Sequence, residues 1–195
     1  MTDLAAPPRV GRPRSEAADA AIEAAALDLL VDEGYAGLTM EGVAARAGVG
    51  KATLYRRWPT KEQLVIAAVV HGCGEHIATP DTGSLRCDVI AYCTEVLVKL
   101  RRHGAILRAF AAATALNPAL ADTFRTTFLD GRRAEVRQVL RRAVGRGELP
   151  AGADLELLGD LGPALLWHRL TATGEPLSDD LPERIAVLIE AHAGR

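Results

Sequence analysis

The chain has 195 residues, 49% apolar and 25% charged, with a formal net charge of −2. This is globular rather than disordered composition, and it leaves room for one ordinary domain or a small one joined to a modest second. Near-neutrality excludes recognition of nucleic acid by overall charge, so any such signal must be local. Three cysteines (Cys73, Cys87, Cys93) and no apolar leader argue against a disulfide framework and for the reducing cytoplasm. No apolar run approaches the roughly 18 residues of a membrane span, so no membrane partner is expected.

Residues 1–14 carry three prolines and a glycine without hydrophobic periodicity, and read as a flexible basic arm with Arg9, Arg12 and Arg14 against one acid, Asp3. Ser15 is the expected cap of a first helix. Ile22, Ala25, Ala26, Leu29 and Leu30 fall on one face of that helix, and Gly34 is its stop. Thr39 caps a second, short helix with Val43, Ala44 and Ala47 inward. Gly48 breaks the chain, and a third short helix runs from about residue 50 to Arg57, closed by Pro59. Thr60 to Gln63 has a capping-box pattern at the start of the fourth.

Longer amphipathic helices follow. Residues 84–103 place Val89, Ile90, Cys93, Val96, Leu97 and Leu100 in one stripe, with Ser84 as the expected cap. Residues 104–116 form the next helix. Asn117-Pro118 opens another, proline being tolerated at the first helical position, and it extends to about Gly145. Residues 154–173 are apolar nearly all round. A last helix starts near Ser178 or Asp180. No segment alternates convincingly, so the expected fold class is all-α with about nine helices: an N-terminal three-helix unit (15–62) and a larger helical part (63–195).

The stretch Ala47 to Leu64, AGVGKATLYRRWPTKEQL, contains a Gly-Lys pair. A phosphate-binding loop would need glycine at 45 and Ser or Thr at 52; both are alanine, and the preceding segment is helical rather than a strand. The spacing fits instead two short helices joined by a glycine-bearing turn, the geometry of a helix-turn-helix. Leu54, alone among polar neighbours, is the expected anchor to the core. From Arg46 to Lys61 there are five bases and no acid, whereas the first helix is acidic. Such segregation is the electrostatic signature of a nucleic-acid surface.

The sequence LTMEGVAARAGVGKATLYRRWPTKEQL closely resembles the DNA-binding domain of TetR-family transcriptional regulators. The likeness covers about fifty residues, Ala20 to Ala68. A weaker likeness lies in GPALLWHRLTATGEPLSDDL. The resemblance implies an all-α homodimer, a helix-turn-helix on each subunit, and a C-terminal domain that dimerises and binds a small-molecule effector, ligand binding releasing DNA. Family DNA contacts carry over to Thr39, Lys51, Ala52, Thr53, Tyr55, Arg56, Arg57 and Lys61. Two departures stand out: Gly50 where a serine cap is common, and Gly42 where an acid would complete a capping box with Thr39.

Arg56 and Arg57 are the foremost candidates for base or phosphate contact, since arginine grips guanine bidentately. Tyr55 could meet phosphate or a thymine methyl, or pack against Trp58. Arg9, Arg12 and Arg14 are candidates for the minor groove; an ordinary tail fits them equally. Phe110, Phe124, Phe128, Trp167 and His168 are candidates to line a ligand pocket, with plain packing the alternative for each. Leu161, Leu165, Leu170, Ile185, Leu188 and Ile189 exceed the needs of one small bundle and are the expected homodimer seam.

His71, Cys73 and His76 share a short segment, but their spacing does not converge on a metal. Ser15, Ser84 and Ser178 read as helix caps, no catalytic constellation is readable, and no cofactor is implied. The expected function is a transcriptional regulator released from a palindromic double-stranded DNA operator by a small molecule. The competing reading is a helical binding protein or enzyme without a DNA role.

Overall fold

The computed structural model describes residues 13–73 and 79–193. The described residues are helical and contain no strand. α1 (Pro13–Asp32), a single turn α2 (Gly34–Gly37), α3 (Met40–Arg46), α4 (Lys51–Arg57) and α5 (Lys61–Cys73) form the N-terminal part. α6 (Leu85–Arg102), α7 (Gly104–Leu116), α8 (Pro118–Phe124), α9 (Asp130–Gly145), α10 (Leu155–His168) and α11 (Leu181–Ala193) follow. A π-turn, Arg125–Leu129, joins α8 to α9 without a break, and a second, Arg169–Thr173, extends α10. The expected helices are therefore all present, with one extra turn, α2. No single helix among the described residues is long and apolar enough to cross a membrane.

Local chemistry accounts for most boundaries. Thr39 is extended and its hydroxyl accepts from the Gly42 amide at 3.0 Å. Asn117 accepts from Leu120 at 3.1 Å ahead of Pro118, and Asp154 accepts from Glu156 and Leu157. Ser84, by contrast, makes no cap bond. Glu148 from the loop after α9 accepts from the Leu85 amide at 3.0 Å instead. Ser15 is not an N-cap either, because α1 begins at Pro13, whose missing N–H belongs naturally to a first turn. Arg14 thus lies inside α1, while Arg9 and Arg12 fall outside the described residues.

Two apolar cores stack along the molecule. One joins α1 (Ile22, Ala26, Leu30), α3 (Val43), α4 (Leu54) and α5 (Leu64, Val65, Ala68) to Phe110 and Ala113 of α7 and Leu120 of α8. The other joins α6 (Val89, Cys93, Leu97) to α9 (Leu140, Ala143), α10 (Leu158, Leu166) and α11 (Ile185, Ala186, Ile189). Leu107 packs against both. The division expected at 62/63 falls within the first turn of α5.

Candidate nucleic-acid interface and effector cavity

α3 ends in a tight reversal. Gly48 takes φ +66°, a left-handed conformation that costs glycine nothing. Its amide reaches the Ala45 carbonyl at 3.2 Å, and the Val49 amide reaches Ala44 at 3.0 Å. This double bond pattern satisfies carbonyls that the helix end would orphan. Val49 packs against the core, so the turn is held from inside and α4 leaves it at a defined angle. Gly50 then starts α4 without a side-chain cap. Leu54 is fully buried, pinning the helix and turning its opposite face to water.

That face carries Lys51, Ala52, Tyr55 and Arg56, all exposed, with Thr53 half-buried at its edge and Thr39 exposed at the start of α3. The charges are less segregated in space than along the chain. Arg46 pairs with Asp32 of α1 at 3.0 Å. Lys51 lies 3.3 Å from Glu41 of α3. Arg57 is paired with Asp19 of α1, and its side chain is mostly buried. Arg57 is thus turned toward the body of the protein, contrary to the expectation that it faces outward with Arg56, because an acid of α1 stands beside it. Among the described residues, Arg56 is the α4 cation with no carboxylate in ion-pair reach.

Lys61 is also drawn inward. Its Nζ donates to the Tyr35 carbonyl at 2.5 Å and sits 4.1 Å above the Tyr35 ring centroid. Burial lowers its pKa. The Tyr35 hydroxyl donates to Glu62 at 2.7 Å. Burial and that carboxylate push the phenol's pKa up, and the same hydrogen bond holds the Glu62 carboxyl below the usual range. The added turn α2 is thereby clamped to the start of α5. Asp19, Glu41 and Tyr35 are the residues that a reading along the chain passes over. The acidic character of α1 is the one signal for Asp19.

The aromatic candidates divide. Phe110, Phe124, Phe128 and Trp167 line one cavity of about 140 Å³, together with Val69, Val70, Val96, Leu100, Leu107, Cys73 and Lys99. Phe110 and Phe124 meet edge to face with centroids 4.9 Å apart, and Phe124 and Phe128 stack at 5.3 Å. Both π-turns adjoin this lining: Phe128 lies in the first, and Trp167 closely precedes the second. The cavity sits where the two apolar cores meet. His168 is not part of it. It is exposed, one position round α10 from Trp167, and that correction follows from the helical period. Burial pushes the Cys73 thiol up to about 11, which keeps it a neutral wall at ordinary pH. His71 pairs with Glu23 at 2.8 Å, and His76 lies outside the described residues.

The expected seam is also redistributed. Leu170, Ile185 and Ile189 are 8%, 1% and 3% exposed and belong to the core of the subunit: Leu170 lies against Gly104 of α7, and α11 lies along α6, where Arg86 ties Glu183 and Glu190 of α11 down to it. Leu165 is half-buried. Leu161 and Leu188 are 40% and 62% exposed, as a seam requires, and they are joined by Leu157 at 61% and Val187 at 47%. Leu157, Leu161 and Ala164 form a continuous outward stripe on α10.

A fixed reading helix behind a glycine turn, on an all-helical frame, defines a helix-turn-helix DNA-binding protein. The description "Bacterial regulatory proteins, tetR family" matches residues 22–68, and "Tetracyclin repressor-like, C-terminal domain" matches residues 79–189. The chain belongs to the TetR family of DNA-binding transcriptional regulators. It is 38% identical to an uncharacterised helix-turn-helix regulator of Mycobacterium tuberculosis, over 80% of this chain and 78% of that one. It is 37% identical to the DNA-binding transcriptional repressor TetR of Mycobacteroides abscessus, over 85% and 88%. The crystal structure of the TetR family regulator SCO0332 superposes with TM-score 0.71 at 31% identity, covering 91% of this chain and 98% of that one.

Proposed function

We propose that this protein is a cytoplasmic homodimeric repressor that leaves a palindromic operator when a small molecule fills the cavity between its two cores. The observation that carries the reading is the outward face of α4. Lys51, Tyr55 and Arg56 project from a helix whose position is fixed by buried Leu54 and by the reversal at Gly48. Arg56 is the base-reading candidate, since it is exposed without a carboxylate partner. Lys51 and Thr39 suit phosphate, the hydroxyl of Thr39 standing beside the first amides of α3. Arg57 and Lys61 act by holding α4 and α5 in place.

A dimer supports the reading in two ways. The stripe of Leu157, Leu161 and Ala164, with Leu188 and Val187 of α11, is the kind of apolar face that a second copy covers in a four-helix seam. Twofold symmetry then sets the two reading helices against half-sites about one helical turn apart. The cavity supports effector control by its position. Val69 of α5 and Phe110 and Phe124 of α7 and α8 belong to the same core as the reading helix. A molecule wedged among them bears on α5, and through α5 on the spacing of the two reading helices. As a regulator of this kind the chain needs no catalytic group.

The test is selection of binding sites from random duplex DNA by the purified protein, followed by gel shift. The expected result is a palindromic consensus with half-sites about 10 base pairs apart, bound by the wild type and bound more weakly, with preference relaxed at one base position, by a folded Arg56→Ala variant. If no consensus emerges from the wild type, the regulator does not read sequence through α4.

A further inference from the structure

A second concave site lies away from the reading helix. It is a cleft of about 500 Å³ between the end of α6, the start of α7, the π-turn after α10 and the loop that follows. Four arginines border it: Arg101, Arg102, Arg108 and Arg169. Two of them build its wall. Arg101 donates from Nε to the Leu177 carbonyl at 2.7 Å and from Nη1 to Asp179 at 2.6 Å. Arg169 donates to the Pro176 carbonyl at 3.0 Å and pairs with Glu175 at 3.1 Å. These contacts tie the loop to α6 and α10 and use up the local carboxylates.

Arg102 and Arg108 are left over. Both are exposed, and no carboxylate lies in ion-pair reach of either among the described residues. Arg108 lies across the first turn of α7. Its Nη1 is 3.4 Å from the position a Cβ on Gly104 would take. The floor is apolar, formed by Leu100, Leu170 and Leu177. A cleft of this volume suits a metabolite-sized ligand, and two uncompensated guanidinium forks suit phosphoryl or carboxylate oxygens.

We propose that this cleft binds a small organic dianion, its acidic groups on Arg102 and Arg108 and its apolar part on the leucine floor. The site is distinct from the aromatic cavity, whose lining is almost wholly apolar. It is independent of the operator reading, because it requires neither DNA nor a partner subunit.

Calorimetric titration of the DNA-free protein at about pH 8 with phenyl phosphate, an organic dianion with an apolar part, tests it, with acetate as the monoanion control. Phenyl phosphate is expected to bind saturably at one site per chain, with a Kd at or below about 1 mM, and acetate to show no saturation. Arg102→Ala combined with Arg108→Ala is expected to weaken phenyl phosphate binding at least about tenfold. Arg125→Ala with Arg141→Ala removes the same charge outside the cleft and is expected to change it little. Arg108→Lys keeps the charge but loses the fork, and is expected to fall between. All of these side chains are exposed, and a melting curve confirms that each variant folds. Absence of saturable binding to the wild type overturns the proposal. So does equal weakening by the two double variants, which would mean attraction to net charge alone.

Discussion

α4 and α10 each turn a face to solvent, and the two faces ask for different partners. α4 is a two-turn helix held by one buried side chain, Leu54, and it exposes Lys51, Tyr55 and Arg56. Cations are well solvated, so this face is stable alone and gains when phosphate replaces water and counterions. α10 is twice as long, buries Leu158 and Leu166, and still exposes Leu157, Leu161 and Ala164. An apolar stripe in water costs about 25 cal/mol per Å², and covering it recovers that energy at any ionic strength. The cationic face suits an association that salt reverses, and the apolar face suits one that salt does not weaken.

The sharpest way to break that contrast is to charge the apolar face. Leu157→Asp with Leu188→Asp alters exposed positions only, so the subunit should keep its helical signal. Each leucine buried at a seam contributes about 1.5–3 kcal/mol, and an aspartate there adds a desolvation cost. If the stripe is the seam of the proposed homodimer, dimerisation should weaken more than about hundredfold, giving a monomer in sedimentation at concentrations where the wild type should sediment as a dimer. Ile185→Asp, one helical turn away but buried, should instead unfold the chain. If the exposed pair leaves the dimer intact, the stripe faces something other than a second copy.

A smaller effect separates the two arginines at the end of α4. Arg56→Ala removes an exposed fork and should cost about 1–3 kcal/mol of operator affinity, with relaxed preference at one base position. The melting temperature should barely move. Arg57→Ala breaks the pair with Asp19 and should lower thermal stability, with DNA affinity reduced uniformly across sequences. Equal loss of base preference in both would return Arg57 to the reading face.

These contrasts mark where a one-dimensional reading succeeds. Thr39 as a cap, Gly48 as a turn and Leu54 as an anchor depend on neighbours within four positions, and periodicity and turn chemistry reveal those directly. The partners of Arg46, Arg57 and Lys61 come from α1 and α2, distant along the chain. A run of bases without acids therefore looked more exposed than it is. The order and extent of the long helices followed from apolar spacing. Which stripe of α10 or α11 meets α6 did not, because both helices carry apolar residues on more than one side. The π-turns beside Phe128 and Trp167 have no local signature at all, and their pairing around one cavity emerges only from packing.

The finest test concerns how strongly α4 holds back from DNA in general. Glu41 sits 3.3 Å from Lys51, so a carboxylate of α3 engages the first cation of the reading face. A hydrogen bond from its own backbone N–H, then Lys51, holds its pKa below the usual range. Any DNA that takes Lys51 must displace this counter-ion and tolerate a carboxylate near phosphate. Glu41→Gln should therefore raise affinity for non-operator DNA about two- to fivefold, the scale of one exposed ion pair, while operator affinity rises less. The salt dependence should steepen by up to about one phosphate contact. Because the folded pKa is depressed, the pair is intact above the ordinary glutamate range and is lost as pH falls through the lowered value. The ratio of their affinities for random duplex should thus hold constant from neutral pH down to the ordinary glutamate range and move toward one only below it. A ratio of one already at neutral pH would mean that Glu41 does not restrain Lys51.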